Sequence, residues 1–504
     1  MSRLPFLVKD EPAQLIVDGK PFLMLAGEVH NSSAGDANYI ERSLARLEGL
    51  HCNTALVPVS WELVEPREGQ FDWRLVDATI LAARRHGLRL VLLWFGTWKN
   101  TFSSYAPEWV KTDLQRFLRA ETTPGVKMTA ISALSTEARK ADAKAFAALM
   151  RHIAEFDGEE QTVLMIQVEN ETGLLLGPRD VSPLAEEAFQ GPVPTQLLEA
   201  LEQQRQQGSL IPEFQLLWEK AGNRTRGTWS EVFGADANEL FMAWHIASFV
   251  GEVAQAGKQE YPLPMLVNAW LIQYADEPAG HYPSGGPVSK MMDVWRIAAP
   301  AIDLFAPDIY IPHFKQVCRD YTQSHNPLFI PEAHVLVAAA NVFYAFAEHA
   351  ALGFAPFGAD GDEFDSTELR ASYALLQELL PLLARYRGTG QTRGIVQETA
   401  EKDELRFGDY VFEIRYQQPR SEERLPARGL VIEIQPGEYF IVGAGFEIDF
   451  HHAQPGHHVD YLSLEEGHFK QGLWVPGRRL NGDELRTKFD DVLIALKVRL
   501  YAFS

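Results

Sequence analysis

The chain has 504 residues, 46% hydrophobic and 23% charged, an ordinary balance for a globular enzyme and too long for one small core. Its formal net charge of −22 argues against nucleic acid or an anionic membrane as partner. No run approaches the ~18 apolar residues of a membrane span, and residues 1–10 lack an apolar stretch of signal-peptide length, so a cytoplasmic location is expected.

In chain order, the first signal is a hairpin: Leu15-Ile16-Val17, a turn at Asp18-Gly19, then Lys20-Pro21-Phe22. Apolar runs at 22–27, 54–59, 89–94, 163–168, 265–268, 304–308, 328–330 and 354–357 read as strands covered on both faces. Amphipathic patterns at 39–50, 73–86, 135–156, 235–255, 288–299, 335–352 and 367–386 alternate with them and predict helices. Eight such strands over about 370 residues predict a (β/α)8 TIM barrel with long loops. The largest insertion, at about 174–234, carries the Gln-rich helix 195–207 and reads as an excursion over the catalytic face. Short β-like runs then follow at 404–407, 410–416, 429–435, 438–442, 446–450 and 492–501, predicting a C-terminal antiparallel β-sandwich. The expected division is a barrel domain over 1–393, with the hairpin and the insertion, and a β-sandwich domain over 394–504. The two cysteines, Cys52 and Cys318, sit in mostly apolar surroundings and read as free core thiols.

Two strand ends carry chemistry. The fourth run stops at Glu169-Asn170-Glu171 before a glycine, and the seventh stops at Glu332-Ala333-His334. In α/β barrels the reactive groups sit at the carboxyl ends of strands. Either acid alone also fits a solvated loop. Two facing carboxyls are what glycoside hydrolysis needs: one protonates the leaving oxygen while the other attacks the anomeric carbon or activates water. The pairs His451-His452 and His457-His458 lack the partners and spacing of a zinc module and read as turn histidines, so no metal is expected.

Three elements in order carry a family resemblance: Gly27-Glu28-Val29-His30, the stretch from Trp61-Glu62 through Glu65-Pro66 to Phe71-Asp72, and Gln167-Val168-Glu169-Asn170-Glu171. Together they resemble glycoside hydrolase family 35, the β-galactosidase family of the retaining barrel clan, over roughly residues 10–390. The tail resembles the small C-terminal domain of a bacterial subgroup of that family. The resemblance implies Glu171 as acid/base, Glu332 as nucleophile, Asn170 on the sugar's 2-hydroxyl and Tyr310 along the sugar pocket. In the loop after the third strand, Asn100 falls on a family position that binds galactose. There the family glutamate falls on Phe102, and the family tyrosine before Trp61 falls on Pro58, so the identity of the bound sugar is open.

Further substrate-binding candidates are Glu28, His30, Trp61, Trp98 and Trp270. The tryptophans read either as stacking faces for sugar rings or as packing, and Tyr310 either as pocket wall or as aromatic plug. His30, like His334, reads as a group positioning a carboxylate or sugar hydroxyl, or as a satisfied core histidine. The expected function is a retaining exo-β-glycosidase, a β-galactosidase releasing terminal β-D-galactose through a covalent intermediate, with no cofactor. Its partner would be a small oligosaccharide or galactoside, and a homo-oligomer is left open. The alternatives are a transglycosidase or a β-glycosidase of another sugar on the same site, or a catalytically silent carbohydrate-binding barrel.

Overall fold

The computed structural model describes residues 4–362, 366–417 and 425–504. Eight parallel strands close a barrel in sequence order: β1 (Met24–Glu28), β2 (Thr54–Ser60), β3 (Arg89–Lys99), β4 (Val163–Asn170), β5 (Met265–Trp270), β6 (Leu304–Ile309), β7 (Phe329–Ala333) and β8 (Gly353–Pro356). They fall on the eight predicted runs because strands buried on both faces must be apolar throughout. The interior is filled by Met24, Leu56, Val91, Leu93, Leu164, Leu266, Leu304 and Phe329. Leu15 and Val17 of the N-terminal hairpin join this cluster and close the barrel's lower mouth. The hairpin turn places Asp18 and Gly19 at φ 52° and 75°, the left-handed pair a two-residue turn of this kind requires.

Around the barrel, helices bury one stripe and end on local caps. In Ala37–Gly49, Ile40, Ser43, Leu44 and Leu47 face inward, and the Asp36 carboxylate accepts from the amides of Asn38 and Tyr39. The insertion after β4 folds into helices Pro183–Gln190, Thr195–Gln207, Pro212–Lys220 and Trp229–Phe233. Ser182 caps the first, Gly208 ends the second at φ 65°, and Thr228 with Glu231 forms a capping box on the last. A hairpin that the sequence pattern does not announce, Arg119–Thr123 with Val126–Ile131, follows β3. It is tied to the insertion by Asp180, whose carboxylate accepts from Glu121 N (3.1 Å) and Ser132 Oγ (2.6 Å).

Several strands run past their predicted ends, β3 by the most. β3 continues to Lys99 and β4 to Asn170, and these two residues become register partners beyond an irregularity after Trp94. The irregularity is held by side chains. The Glu169 carboxylate accepts from Thr97 N (3.1 Å) and Trp98 N (2.6 Å), and Asp142 accepts from Thr97 N (2.9 Å) and Trp94 Nε1 (2.8 Å). Burial raises both carboxyls of this pair, and the Asp142 charge raises Glu169 further. Gly96 makes room for it: a Cβ there would lie 2.6 Å from Glu169 Oε1 and 2.8 Å from Asp142 Oδ2.

The tail forms two antiparallel sheets. One holds β9 (Thr392–Val396), β12 (Arg428–Gln435), β13 (Glu438–Ala444), β15 (His458–Lys470), β16 (Leu473–Leu480) and β18 (Ile494–Phe503); the other holds β10 (Lys402–Phe407), β11 (Tyr410–Tyr416), β14 (Phe446–His452) and β17 (Thr487–Phe489). In the first sheet, β12 and β13 are covered on both faces. Leu430, Ile432, Phe440 and Val442 join the barrel's core, while Val431, Tyr439 and Ile441 pack with Phe412, Ile414 and Phe446 of the second sheet. Four strands were not predicted: β9, β15, β16 and β17. Arg393 pairs with Glu348 (2.9 Å), and Lys315 with Asp403 (2.5 Å), fastening the tail to barrel helices. Both cysteines are free and buried. Among the described residues, no helix is long and apolar enough to cross a membrane.

Candidate active site

The polar tip of β4 has an unusual backbone. Glu169 and Glu171 adopt φ of 61° and 45°, uncommon for residues with a side chain, and flank Asn170. Neighbours fix this shape: Glu171 N donates to Asn268 Oδ1 on β5 (2.9 Å), and Lys99 Nζ on β3 donates to Asn170 Oδ1 (2.8 Å). The result presents Glu171 to a cavity of about 320 Å3 at the carboxyl end of the barrel. Glu332 from β7 and Asp308 from β6 line the same cavity. One oxygen of each of these three acids lies within 4.8 Å of the other two.

The three carboxyls differ in their partners. Glu332 accepts from Tyr310 Oη (2.7 Å), Asn170 Nδ2 (3.3 Å) and Asn268 Nδ2 (3.4 Å), three donors that fix the orientation of its carboxylate. Glu171 is 6% exposed, and burial followed by the Glu332 charge pushes its pKa up to about 7; Lys99, Asp308 and Asn100 pull it the other way. Burial and the charges of Glu332 and Glu171 hold Asp308 well above the usual range, which favours its protonated form as a donor to Glu171. Burial and Glu332 also raise the Tyr310 hydroxyl, which stays a donor. The spacing of the three acids would admit a cation, yet the donors already aimed at Glu332 compete for the same oxygens.

Several sequence-predicted residues meet here. Glu171, Glu332, Asn100, Tyr310 and Trp270 line the cavity, and Asn170 bridges Lys99 and Glu332 at its edge. Asn100 donates its amide to Glu171 Oε2. Trp270, at the end of β5, is the predicted tryptophan that offers the cavity a face.

Trp61 and Trp98 do not line it, which corrects their reading as stacking platforms. Trp61 is fully buried, donates to Glu65 Oε2 (2.9 Å) and packs edge-on against Trp109. Trp98 donates to Ile131 O (3.1 Å) and lies 4.5 Å from the Phe249 ring. Both indoles are spent on the core. Glu28 is likewise enclosed: it has no exposure, both its oxygens lack a hydrogen-bond partner among the described residues, and burial followed by the Glu332 charge raises it well above the usual range. His30 does not line the cavity either. Its Nδ1 lies 2.8 Å from Asp360 Oδ1, while the neighbouring Asn31 reaches the cavity wall. His334 caps the helix Val335–His349, accepting from Leu336 N.

Sequence reasoning missed Lys99, Asn268 and Asp308. The last two close the predicted fifth and sixth runs, so the strand-tip argument that found Glu171 would have found them. Lys99 lies five residues past the predicted end of the third run, and no local signal marks it.

The family model of glycoside hydrolase family 42, described as beta-galactosidase, matches residues 30–203. A domain of unknown function (DUF5597) matches residues 369–489. A beta-galactosidase of Xanthomonas manihotis is 37% identical over 82 residues, which is 16% of this chain and 14% of that protein. Among solved structures, a catalytic mutant of Gan42B, a GH42 beta-galactosidase from G. stearothermophilus, is similar with a TM-score of 0.53 at 11% identity, over 95% of this chain and 98% of that one. The beta-galactosidase of the psychrophilic Marinomonas ef1 is similar with a TM-score of 0.49 at 11% identity, over 75% of this chain and 63% of that one. The chain thus spans only 14% of the curated relative and 63% of the Marinomonas enzyme. The Gan42B likeness shows a shared fold.

The family 42 match overturns the assignment to family 35. It covers the stretch Trp61 to Asp72 and the Gln167 to Glu171 element, two of the three on which that assignment rested. A carboxylate beside an amide at a strand tip is a demand of the chemistry, so the motif reports a mechanism before it reports a family.

Proposed function

We propose that the protein is a retaining exo-β-glycosidase, acting as a β-galactosidase on terminal galactose of small oligosaccharides or galactosides. The observation that carries this is the pairing of Glu171 and Glu332, with oxygens inside 4.8 Å of each other and the Glu171 carboxyl raised to about 7 by burial and by the Glu332 charge. A retaining pair stands ~5–5.5 Å apart, whereas an inverting pair needs ~6.5–9.5 Å to admit a water between. The match to a family model described as beta-galactosidase supports the sugar.

The chemistry follows from the contacts. Glu332, held by Tyr310, Asn170 and Asn268, attacks the anomeric carbon as an anion. Glu171, kept protonated by burial and by the Glu332 charge, gives its proton to the leaving oxygen. Once Glu332 becomes an ester its charge is gone, so Glu171 loses the neighbour that raised it and becomes the base that activates water. Asn170 Nδ2 beside Glu332 is placed for the 2-hydroxyl next to the anomeric carbon, a bond that strengthens as positive charge develops. Trp270 gives the ring a stacking face.

A panel of aryl β-glycosides, followed by NMR of the first-formed sugar, tests the proposal. Hydrolysis of the β-galactoside above the β-glucoside and β-fucoside, with the β-anomer appearing first, is the expected result. Sugar binding without turnover of any member would make the barrel catalytically silent, and an α-anomer appearing first would remove the retaining mechanism.

A further inference from the structure

We propose that Lys99 is a positioning residue that fixes which end of the Asn170 amide faces the sugar, an inference that rests on the retaining-glycosidase reading above. Lys99 ends β3 and pairs in register with Asn170 at the end of β4. It is 5% exposed and lines the catalytic cavity. Its ammonium donates to Asn170 Oδ1 at 2.8 Å, and among the described residues it makes no ion pair. Its charge favours the ionised forms of Glu28 and Glu171, so the ammonium is held among the acids of the site.

The chemistry of the two groups sets the direction. An ammonium only donates, whereas the two ends of a primary amide differ: oxygen accepts and nitrogen donates. With Oδ1 turned to Lys99, Nδ2 must face the opposite way, where it lies 3.3 Å from Glu332 Oε1. That is the side on which the anomeric carbon and its 2-hydroxyl would sit. In the free enzyme Glu332 selects the same orientation, because a flipped amide would set oxygen against oxygen. In the glycosyl-enzyme intermediate Glu332 is an uncharged ester, and this second restraint weakens. Lys99 is then the group that keeps the donor aimed at the 2-hydroxyl. The backbone supports it: Lys99 N and O exchange hydrogen bonds with Phe102 (2.9 and 3.1 Å), and Glu169 clamps the two residues before it.

The test measures how much the 2-hydroxyl accelerates turnover, as the ratio of kcat/KM for an aryl β-galactoside over its 2-deoxy analogue, in the wild type, Lys99→Met and Lys99→Gln. Losing one aimed donor typically costs ~10²-fold or more. Lys99→Met is expected to shrink the ratio at least tenfold. Lys99→Gln, which can still donate to Asn170 Oδ1, is expected to keep it within about threefold of wild type. A Lys99→Met enzyme that loses activity equally on both substrates, or a folded Lys99→Gln enzyme whose ratio collapses, overturns the proposal. If Lys99→Met does not fold, the Lys99→Gln ratio decides alone. A wild type that turns over neither substrate removes the glycosidase reading instead.

Discussion

Replacing Glu171 by Gln removes the proton donor while keeping the shape of the tip. Burial and the neighbouring Glu332 lift this carboxyl from its ordinary value near 4.5 to about 7, which at ~1.4 kcal/mol per pH unit is ~3 kcal/mol of preference for the protonated form. A positioned general acid contributes ~10²–10⁴-fold. For an alkyl or sugar leaving group, which departs only with a proton, kcat/KM should therefore fall by about 10³-fold. For a dinitrophenyl leaving group, which departs as a stable anion, the fall should stay under about tenfold. The wild-type alkaline limb, set by loss of the Glu171 proton near pH 7, should vanish in the variant. In Glu171→Ala, where truncation opens space beside the anomeric carbon, azide should speed turnover of the dinitrophenyl substrate and give the β-azide, because the covalent intermediate then waits for a nucleophile on the vacated face. The assay is a series of aryl and alkyl β-galactosides across pH. Equal losses for every leaving group, or an unmoved alkaline limb, would refute Glu171 as the acid.

Other outcomes follow from neighbouring contacts. In Tyr310→Phe, Glu332 loses a 2.7 Å hydrogen bond, and kcat/KM should drop about 10–10²-fold, more in kcat than in KM, as steady-state kinetics would show. In Lys99→Gln the alkaline limb should move upward. The Lys99 charge favours ionised Glu171, so its removal favours the protonated form, and a downward shift would contradict the electrostatics. Trp61 packs in the core, so Trp61→Phe should cost ~1–3 kcal/mol in denaturant unfolding with kcat/KM changed less than about threefold. A large loss of activity at full stability would restore it as a sugar contact.

Much of this architecture was legible because parallel barrel strands are apolar on both faces and therefore stand out as runs. The same logic placed Glu171 and Glu332 at strand ends. It failed where identity depends on distant partners. β3 reaches Lys99 only because Glu169 and Asp142, 70 and 43 residues past Lys99, hold the Thr97–Trp98 backbone. An aromatic beside a strand tip looks the same whether it will meet a sugar or, like Trp98, the Phe249 ring on a remote helix. In the tail, β15 and β16 went unseen because their mixed burial leaves polar residues on much of both strands and blurs the alternation. The family assignment erred for a related reason: motifs dictated by shared chemistry do not separate the families that use it.

The central claim is that Glu332 forms the covalent intermediate. A 2-deoxy-2-fluoro β-galactoside with a good leaving group slows the second step and traps that species for peptide mass mapping. The account predicts one fluorosugar per chain, on the peptide that holds Glu332, with regain of activity as the label hydrolyses. A label on Glu171 or Asp308, or a chain that turns over galactosides yet never takes the label, would contradict it.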